Sequence, residues 1–131
     1  GPEMTTEASR VRALVRQLVR APRVRFPPRG SALHCPTLQG VYLIRDPRGR
    51  VAHVGRTTRA RNGLQDRLRG HRGGRSSFVR HYLNGDASRL RAGFTYAWIV
   101  VPKHRLRALV EALASGQLCP LHIGTGAATR S

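Results

Sequence analysis

Apolar residues near the start of the chain follow a helical repeat. They recur at spacings of three and four residues, with arginines at most of the positions between them: Val11, Leu14, Val15, Leu18 and Val19. Thr5 or Thr6 can cap such a helix, and Pro22 can end it. The pattern predicts an amphipathic helix over residues 5–20 that has one apolar face and one cationic face.

Two short apolar runs in the middle of the chain are separated by turn-forming residues. The runs cover residues 41–44 and 51–54, and the sequence Asp46-Pro47-Arg48-Gly49 lies between them. Runs rich in β-branched residues on either side of such a turn favour a β-hairpin. A polar stretch over residues 62–69 follows and predicts a helix, which could extend to His71.

The second half of the chain contains the clearest strand. Residues 94–101 carry almost no polar side chain, as expected for a strand inside a sheet, and Pro102 ends the run. A short helix is predicted over residues 78–83, with Ser76 and Ser77 as caps. A longer helix is predicted over residues 104–115, ending at Gly116. Its inward positions are Leu106, Leu109, Val110 and Leu113.

The charge of the chain points to an anionic partner. There are 24 Lys and Arg residues against 6 Asp and Glu, which gives a net charge of +18. Nucleic acid is the first expectation, DNA or RNA, because binding it releases counterions from the phosphates. Codon bias could explain the preference for Arg over Lys, but it does not explain the shortage of acids. The predicted nucleic-acid contacts are Arg12, Arg16, Arg20, Arg56, Arg59, Arg61, Arg72 and Arg75.

Other features narrow the class of protein. No apolar run of about 18 residues and no signal-like segment occurs, so we expect neither a membrane span nor export and predict a cytoplasmic location. Two cysteines make no disulfide framework. A zinc site made of His34, Cys35, Cys119 and His122 is an open alternative to two structural thiols. The cationic helix likewise remains either a phosphate clamp or an ordinary solvated face.

Several short motifs occur in an order that resembles a known family. Gly40-Val41-Tyr42 is followed by His53-Val54-Gly55, then by Arg67 and His71 in the spacing R-x-x-x-H. Further on, Arg105 lies six residues before Glu111, and Pro120 lies nine residues after it. The ordered set, over residues 40–123, resembles the GIY-YIG nuclease superfamily.

The resemblance and the predicted elements together imply a fold and a domain plan. We expect an α/β fold whose small, mostly antiparallel, three-stranded central sheet is flanked by helices. Residues 1–4 resemble the remnant of an expression tag, and residues 5–30 form the basic helix and a linker. Residues 31–123 form the nuclease-like domain, and residues 124–131 are predicted to be a flexible tail.

Glu111 stands out among the six acids of the chain. The others lie near the start, in turns or on polar helix surfaces: Glu3, Glu7, Asp46, Asp66 and Asp86. A carboxylate among core-facing positions needs a cation, either a metal ion or an arginine such as Arg107. The resemblance favours the metal. With so few acids the sequence cannot supply a two-metal site, which leaves one Mg²⁺ or Mn²⁺ held by Glu111.

The resemblance also implies roles for the other motif residues. Tyr42 would act as the general base, its pKa lowered by Arg67, and Arg67 would stabilise charge on the phosphate. His71 would orient Tyr42 or relay its proton. Taken alone, Tyr42 and His71 could equally be a half-buried strand tyrosine and a helix-end histidine.

Two positions depart from the family pattern. His53 replaces the second signature tyrosine and is expected to titrate near neutrality, and Ile123 stands where the family has asparagine, with His122 beside it as a possible substitute. The sequence therefore predicts a metal-dependent DNA endonuclease of the restriction and defence type or the mobile-element type. The alternative is a catalytically weakened or inactive nucleic-acid-binding module. The oligomeric state, including a dimer on DNA, stays open.

Overall fold

A computed structural model of the chain describes residues 6–123. In chain order these residues form α1 (Glu7–Arg20), β1 (Val24–Arg25), β2 (Gly40–Arg45), β3 (Val51–Arg56), α2 (Gly63–Arg72), β4 (Thr95–Val100) and α3 (His104–Leu118). A π-helical turn (Phe78–Tyr82) and a 3-10 turn (Ala87–Arg91) connect α2 to β4. The predictions for residues 1–5 and for the tail lie outside the described residues.

The four strands form one antiparallel sheet in the order β1-β4-β2-β3. The predicted α/β class with an antiparallel sheet is confirmed, but the prediction of three strands is wrong. The fourth strand, β1, is only two residues long and pairs with Thr95 and Tyr96 of β4. It lies in a segment that was predicted as linker because its Pro-rich and Arg-rich sequence shows no strand pattern.

The predicted hairpin is present, and its turn has the expected chemistry. One carboxylate oxygen of Asp46 accepts the backbone N–H groups of Arg48 and Arg50, and its other oxygen pairs with the Arg50 guanidinium. Gly49 adopts a φ of +83°, which favours glycine. The turn fixes how β2 and β3 face each other, so Tyr42 lies opposite Gly55.

Each face of the sheet has its own buried core. The aliphatic face is covered by α1 and α3 and contains only valine, leucine, isoleucine and alanine among its buried residues, including Leu18 and Leu43. The aromatic face is covered by α2 and the two short turns, and its core includes Tyr42, Phe78 and Tyr96. On α1 the Thr6 side chain accepts the N–H of Ser9, as predicted for a cap.

The predicted end of α3 is wrong. α3 continues through the exposed Gly116, because a single exposed glycine costs a helix only about 1 kcal/mol and Leu118 packs on the aliphatic core. It ends at Leu118, and the next residue, Cys119, has a left-handed φ of 46°. α2, whose end was left open, continues through His71 to Arg72. Among residues 6–123 no helix is both long and apolar enough to cross a membrane.

Candidate active site

The Tyr42 ring lies directly over Gly55 on the aromatic face of the sheet. A Cβ atom added to Gly55 would collide with the phenol, so only glycine fits opposite this tyrosine. Steric contact with Tyr42 therefore explains why the His53-Val54-Gly55 motif ends in glycine. It lets the tyrosine of one strand cross the neighbouring strand toward the edge of the sheet.

A chain of hydrogen bonds leads away from the Tyr42 hydroxyl. The oxygen lies 2.7 Å from Nε2 of His71, and Nδ1 of His71 lies 2.7 Å from Oγ of Ser76. The Ser76 oxygen also accepts the backbone N–H of Val79. His71 reaches this position because α2 continues beyond residue 69, and its ring is buried. The three side chains thus connect a buried phenol to the serine after α2.

His53 faces the same side of the sheet because β3 contains a bulge. The register between β2 and β3 shifts after Ile44, which leaves Ala52 as an extra residue and keeps His53 opposite Ile44. The imidazole stacks on Phe78 with a centroid separation of 5.1 Å. It contacts the backbone of His122, yet neither of its ring nitrogens has a well-formed hydrogen bond within the described part of the chain.

The rings of His53, His71 and His122 lie close together. The His53 centroid is 5.1 Å from that of His71 and 5.7 Å from that of His122. The backbone N–H of His122 donates to the carbonyl of Ala52, which holds the segment after α3 against β3. His122, and not the exposed Ile123, is therefore the side chain that reaches the site from this segment.

Glu111 reaches the same region from the opposite face. α3 packs on the aliphatic face, but β3 is the edge strand, so Glu111 can line the cleft beside Gly55 and Arg67. Its side chain is 31% exposed, and its carboxylate lies 3.3 Å from the Arg56 guanidinium. The alternative of a Glu111–Arg107 pair is wrong. Arg107 is buried and donates instead to backbone carbonyls, including those of Thr57 and Val101.

These residues surround one cleft of about 530 Å³ at the β3 edge of the sheet. Four of the five predicted catalytic residues line it, namely His53, Arg67, His71 and Glu111. The fifth, Tyr42, is fully buried beneath them. The lining is completed by polar and cationic side chains with two small strand residues: Arg75, Ser76, Ser77, Arg80, Val54 and Gly55.

Burial sets the protonation of the aromatic groups at the site. It raises the pKa of Tyr42, although the nearby Arg67 acts in the opposite direction. The predicted lowering of this pKa is therefore wrong in direction. Burial also lowers the pKa of His53 to about 3 and that of His71 well below its ordinary value. The prediction that His53 titrates near neutrality is wrong for the free protein, because both rings are neutral at pH 7.

Among residues 6–123, Glu111 is the one carboxylate that lines the cleft. Burial raises its pKa, and the charges of Arg56 and Arg67 oppose that rise. No group of three His, Cys, Asp or Glu side chains within residues 6–123 is placed to hold a metal ion together. A single carboxylate fits an ion such as Mg²⁺, which keeps several waters when bound.

The proposed zinc ligands are not brought together. His34 and Cys119 are exposed at separate places, and burial raises the pKa of Cys35 to about 11, which disfavours the thiolate that zinc would need. His122 lies beside His53. Within the described residues the four side chains form no metal-binding cluster.

The predicted nucleic-acid contacts are spread over the molecule. Arg75 lines the cleft, Arg56 pairs with Glu111, and Arg72 donates to backbone carbonyls of the linker. The other five are exposed, with Arg59 and Arg61 before α2 and Arg12, Arg16 and Arg20 on α1. Arg16 and Arg20 face a different groove, at the far edge of the sheet.

Ser76 is the site residue whose role the sequence did not reveal. It was predicted only as a helix cap, and the hydrogen bond to Val79 agrees with that prediction. Its position five residues after His71 is the one signal that could have suggested a contact with the imidazole.

The sequence matches no protein-family model and no curated protein. The case for a function therefore depends on this geometry and on the sequence motifs.

Proposed function

We propose that this protein is a divalent-metal-dependent endonuclease that hydrolyses DNA phosphodiester bonds in the cleft at the β3 edge. The observation that carries the proposal is the convergence of Arg67, His71 and Glu111 on one cleft, directly above Tyr42. Together with Tyr42 these residues come from three elements, β2, α2 and α3, and the two helices lie on opposite faces of the sheet. The motif order that resembles the GIY-YIG superfamily supports the same assignment, of the restriction and defence or mobile-element type.

The proposed proton path keeps every aromatic group neutral. The attacking water gives its proton to the Tyr42 oxygen while the Tyr42 proton passes to Nε2 of His71. The Nδ1 proton of His71 then passes to Ser76, whose own hydroxyl proton leaves into the cleft. The P–O bond to the leaving sugar oxygen breaks, and that oxygen takes up the released proton. The raised pKa of Tyr42 and the lowered pKa of His71 disfavour a phenolate and an imidazolium, so a concerted shuttle suits this site better than a charged base.

Arg67 and a metal ion held by Glu111 would stabilise the negative charge of the phosphate. The guanidinium of Arg67 would donate hydrogen bonds to the phosphoryl oxygens as negative charge develops on them. Glu111 would hold Mg²⁺ or Mn²⁺, which when bound supplies charge neutralisation at the scissile phosphate. Because Arg56 pairs with the Glu111 carboxylate, it must release that carboxylate first.

A second candidate function is a nucleic-acid-binding module of the same fold without catalysis. Two observations favour it. The Glu111 carboxylate is already paired with Arg56, and the Tyr42 hydroxyl is fully buried, so a water must displace neighbouring groups to reach it. In that case Arg67, Arg75 and Arg80 would bind a phosphate that is never cut.

A plasmid cleavage assay separates the two functions. The wild-type protein is incubated with supercoiled DNA and Mg²⁺, with and without a chelator. We expect nicking that the chelator abolishes and that Glu111→Gln or Arg67→Ala reduces by about 10²- to 10³-fold, since such losses are typical of transition-state charge contacts. Arg69→Ala, an exposed residue on the same helix, is the matched control. DNA binding without strand breaks, unchanged by Glu111→Gln, would support the binding module.

A further inference from the structure

A second groove lies at the edge of the sheet opposite the cleft. It has a volume of about 670 Å³ and is lined by the outward side of α1 and the end of β4. β1 pairs only with Thr95 and Tyr96, so in the described part of the chain no strand pairs with the outer edge of β4 from Trp98 onward. The residues that line it are Ala13, Arg16, Gln17, Arg20, Ala21, Pro22, Trp98, Ile99 and Val100.

Trp98 is the one aromatic residue among the described residues that line this groove. Its indole lies on the aromatic face of the sheet, whereas α1 covers the other face. Trp98 is the single tryptophan of the chain and is partly exposed. Its ring stacks on Tyr96 with a centroid separation of 5.9 Å and an interplanar angle of 28°. Because the Tyr96 ring is itself packed in the core, the indole is held in one orientation before any ligand arrives. A preorganised ring loses little entropy on binding.

Arg16 and Arg20 give the groove its charge. They are four residues apart on α1, so both side chains project from the same side of the helix. Both are exposed, and neither takes part in the salt bridges found among residues 6–123. The two guanidinium groups and the indole thus border the β4 edge from opposite faces of the sheet. This arrangement suits a strand that crosses the edge, with a base on the indole and its flanking phosphates on the arginines.

We propose that this groove binds an unpaired strand of nucleic acid, with one base stacked on Trp98 and the flanking phosphates held by Arg16 and Arg20. Stacking favours a single strand because the bases of a duplex are already stacked on one another. A peptide added to the edge of β4 is a weaker fit. Only four residues of that edge, from Ala97 to Val100, lack a strand partner in the described chain, and a peptide would need acidic side chains to match the arginines.

This binding goes beyond the proposed cleavage and does not depend on it. β4 and β3 are separated by β2, so the two edges lie about 10 Å apart across the sheet, plus the side chains at each edge. None of the groove residues lines the cleft. A protein without any nuclease activity could still hold a strand here.

Trp98 makes the proposal directly measurable, because it alone supplies the tryptophan emission of the protein. An oligo-dT strand of about 12 nucleotides is titrated into the wild-type protein in the presence of a chelator. We expect the emission of Trp98 to be quenched, and the quenching to persist in Arg67→Ala, which alters only the cleft. A duplex of equal length should quench far less at the same protein occupancy.

Variants then test the two arginines with a labelled strand and fluorescence anisotropy. We expect the double variant Arg16→Ala/Arg20→Ala to weaken binding of oligo-dT by roughly ten-fold or more. The double variant Arg89→Ala/Arg91→Ala removes the same charge from exposed positions on the 3-10 turn and should weaken it by less than about three-fold. Trp98→Phe, with its fold checked by circular dichroism, should weaken binding and Trp98→Leu should weaken it further.

Several results would overturn the proposal. They are oligo-dT binding with unchanged emission, equal losses in the two double variants, and equal quenching by the duplex. Preferential quenching by poly-glutamate would also reject it and would indicate a peptide site on β4. Loss of plasmid cleavage with retained quenching would contradict only the proposed nuclease.

Discussion

The two faces of the sheet are built from different chemistry. On the aliphatic face every residue of the hydrophobic core is a valine, leucine, isoleucine or alanine, so α1 and α3 are held mainly by apolar burial. On the aromatic face the core surrounds buried imidazoles and contains two buried phenols, Tyr42 and Tyr96, with His53 and His71 among the imidazoles. A buried imidazole costs free energy unless it is hydrogen-bonded, and His53 has no well-formed bond in the described chain.

The difference indicates that the two faces of the sheet make different contributions, one to stability and the other to the placement of polar groups. The aliphatic face stabilises the sheet, and that stability allows the other face to hold polar groups in fixed positions. The polar side chains of the cleft lie at β3 because β3 is an edge strand. At this edge Glu111, on the aliphatic side, can lie beside Arg67 and His71. Substitutions on the two faces should therefore have separable effects.

The largest expected effect is on the aliphatic face. Leu18 is fully buried there, and Leu18→Ala removes its side chain and leaves a cavity. We expect the free energy of unfolding to fall by about 2–5 kcal/mol, measured by urea denaturation. Val19→Ala, next to it but 38% exposed, should change it by less than about 1 kcal/mol. Equal losses in the two variants would contradict the assigned packing of α1.

The pH dependence of stability tests the aromatic face. His53 has a folded pKa of about 3, below the value of about 6.5 for an unfolded histidine. The unfolded state therefore binds the extra proton, and stability should be complete above pH 6.5 and fall as the pH drops toward 3. Each such histidine contributes a slope of up to about 1.4 kcal/mol per pH unit.

Replacing one histidine on this face should reduce that slope. We expect His53→Phe, which can still stack on Phe78, to lose stability less steeply between pH 6 and 4 than the wild type. Urea denaturation at several pH values measures it. His34→Phe, at an exposed position, is the control and should keep the wild-type slope. An unchanged slope in His53→Phe would mean that this imidazole is not held neutral by burial.

Ser76 tests whether the hydrogen-bonded chain serves the reaction or only the fold. We expect Ser76→Ala to reduce the cleavage rate by roughly ten-fold, because the proton of His71 loses its acceptor. Ser76→Thr keeps the hydroxyl and should retain most of the rate.

A full cleavage rate in Ser76→Ala would assign Ser76 a structural role only. Ser77→Ala is the neighbouring control, because Ser77 lines the same cleft and has no hydrogen bond to His71 among the described contacts.

The smallest expected effect concerns the pair between Arg56 and Glu111. A metal ion must compete with Arg56 for the carboxylate, and a partly exposed pair of this kind is worth up to about 1 kcal/mol. We therefore expect Arg56→Ala to lower the Mg²⁺ concentration for half-maximal cleavage by roughly two- to five-fold. Arg48→Ala, in the exposed hairpin turn, should leave it unchanged. A higher Mg²⁺ requirement in Arg56→Ala would contradict competition at Glu111.

Local signals in the sequence predicted much of the fold. The hairpin was predictable because Asp46 and Gly49 specify their turn through their own hydrogen bonds and backbone angle. α1 was predictable from its apolar repeat. The grouping of Arg67, His71 and Glu111 was expected from motif order, and the structure brings these side chains to one cleft.

The remaining features depend on contacts between distant segments. β1 exists because two residues of the linker meet the edge of β4, and no local pattern marks them. The pairing of Glu111 with Arg56 requires β3 to be an edge strand, which sheet order decides. The pKa of Tyr42 rises because the side chain is completely buried. The sequence indicated a nearby arginine, but it did not show this burial.

The most direct test of the central claim is to locate the metal ion. Mn²⁺ is titrated into ¹⁵N-labelled protein that carries an uncleavable phosphorothioate DNA strand, and paramagnetic broadening of the backbone signals is followed. We predict that broadening begins at Gly55, Arg67 and Glu111 and is lost in Glu111→Gln, while Arg25, on the strand farthest from β3, broadens only at higher Mn²⁺ concentration. Broadening that begins elsewhere, or that is unchanged in Glu111→Gln, would contradict a metal-dependent site at the β3 edge.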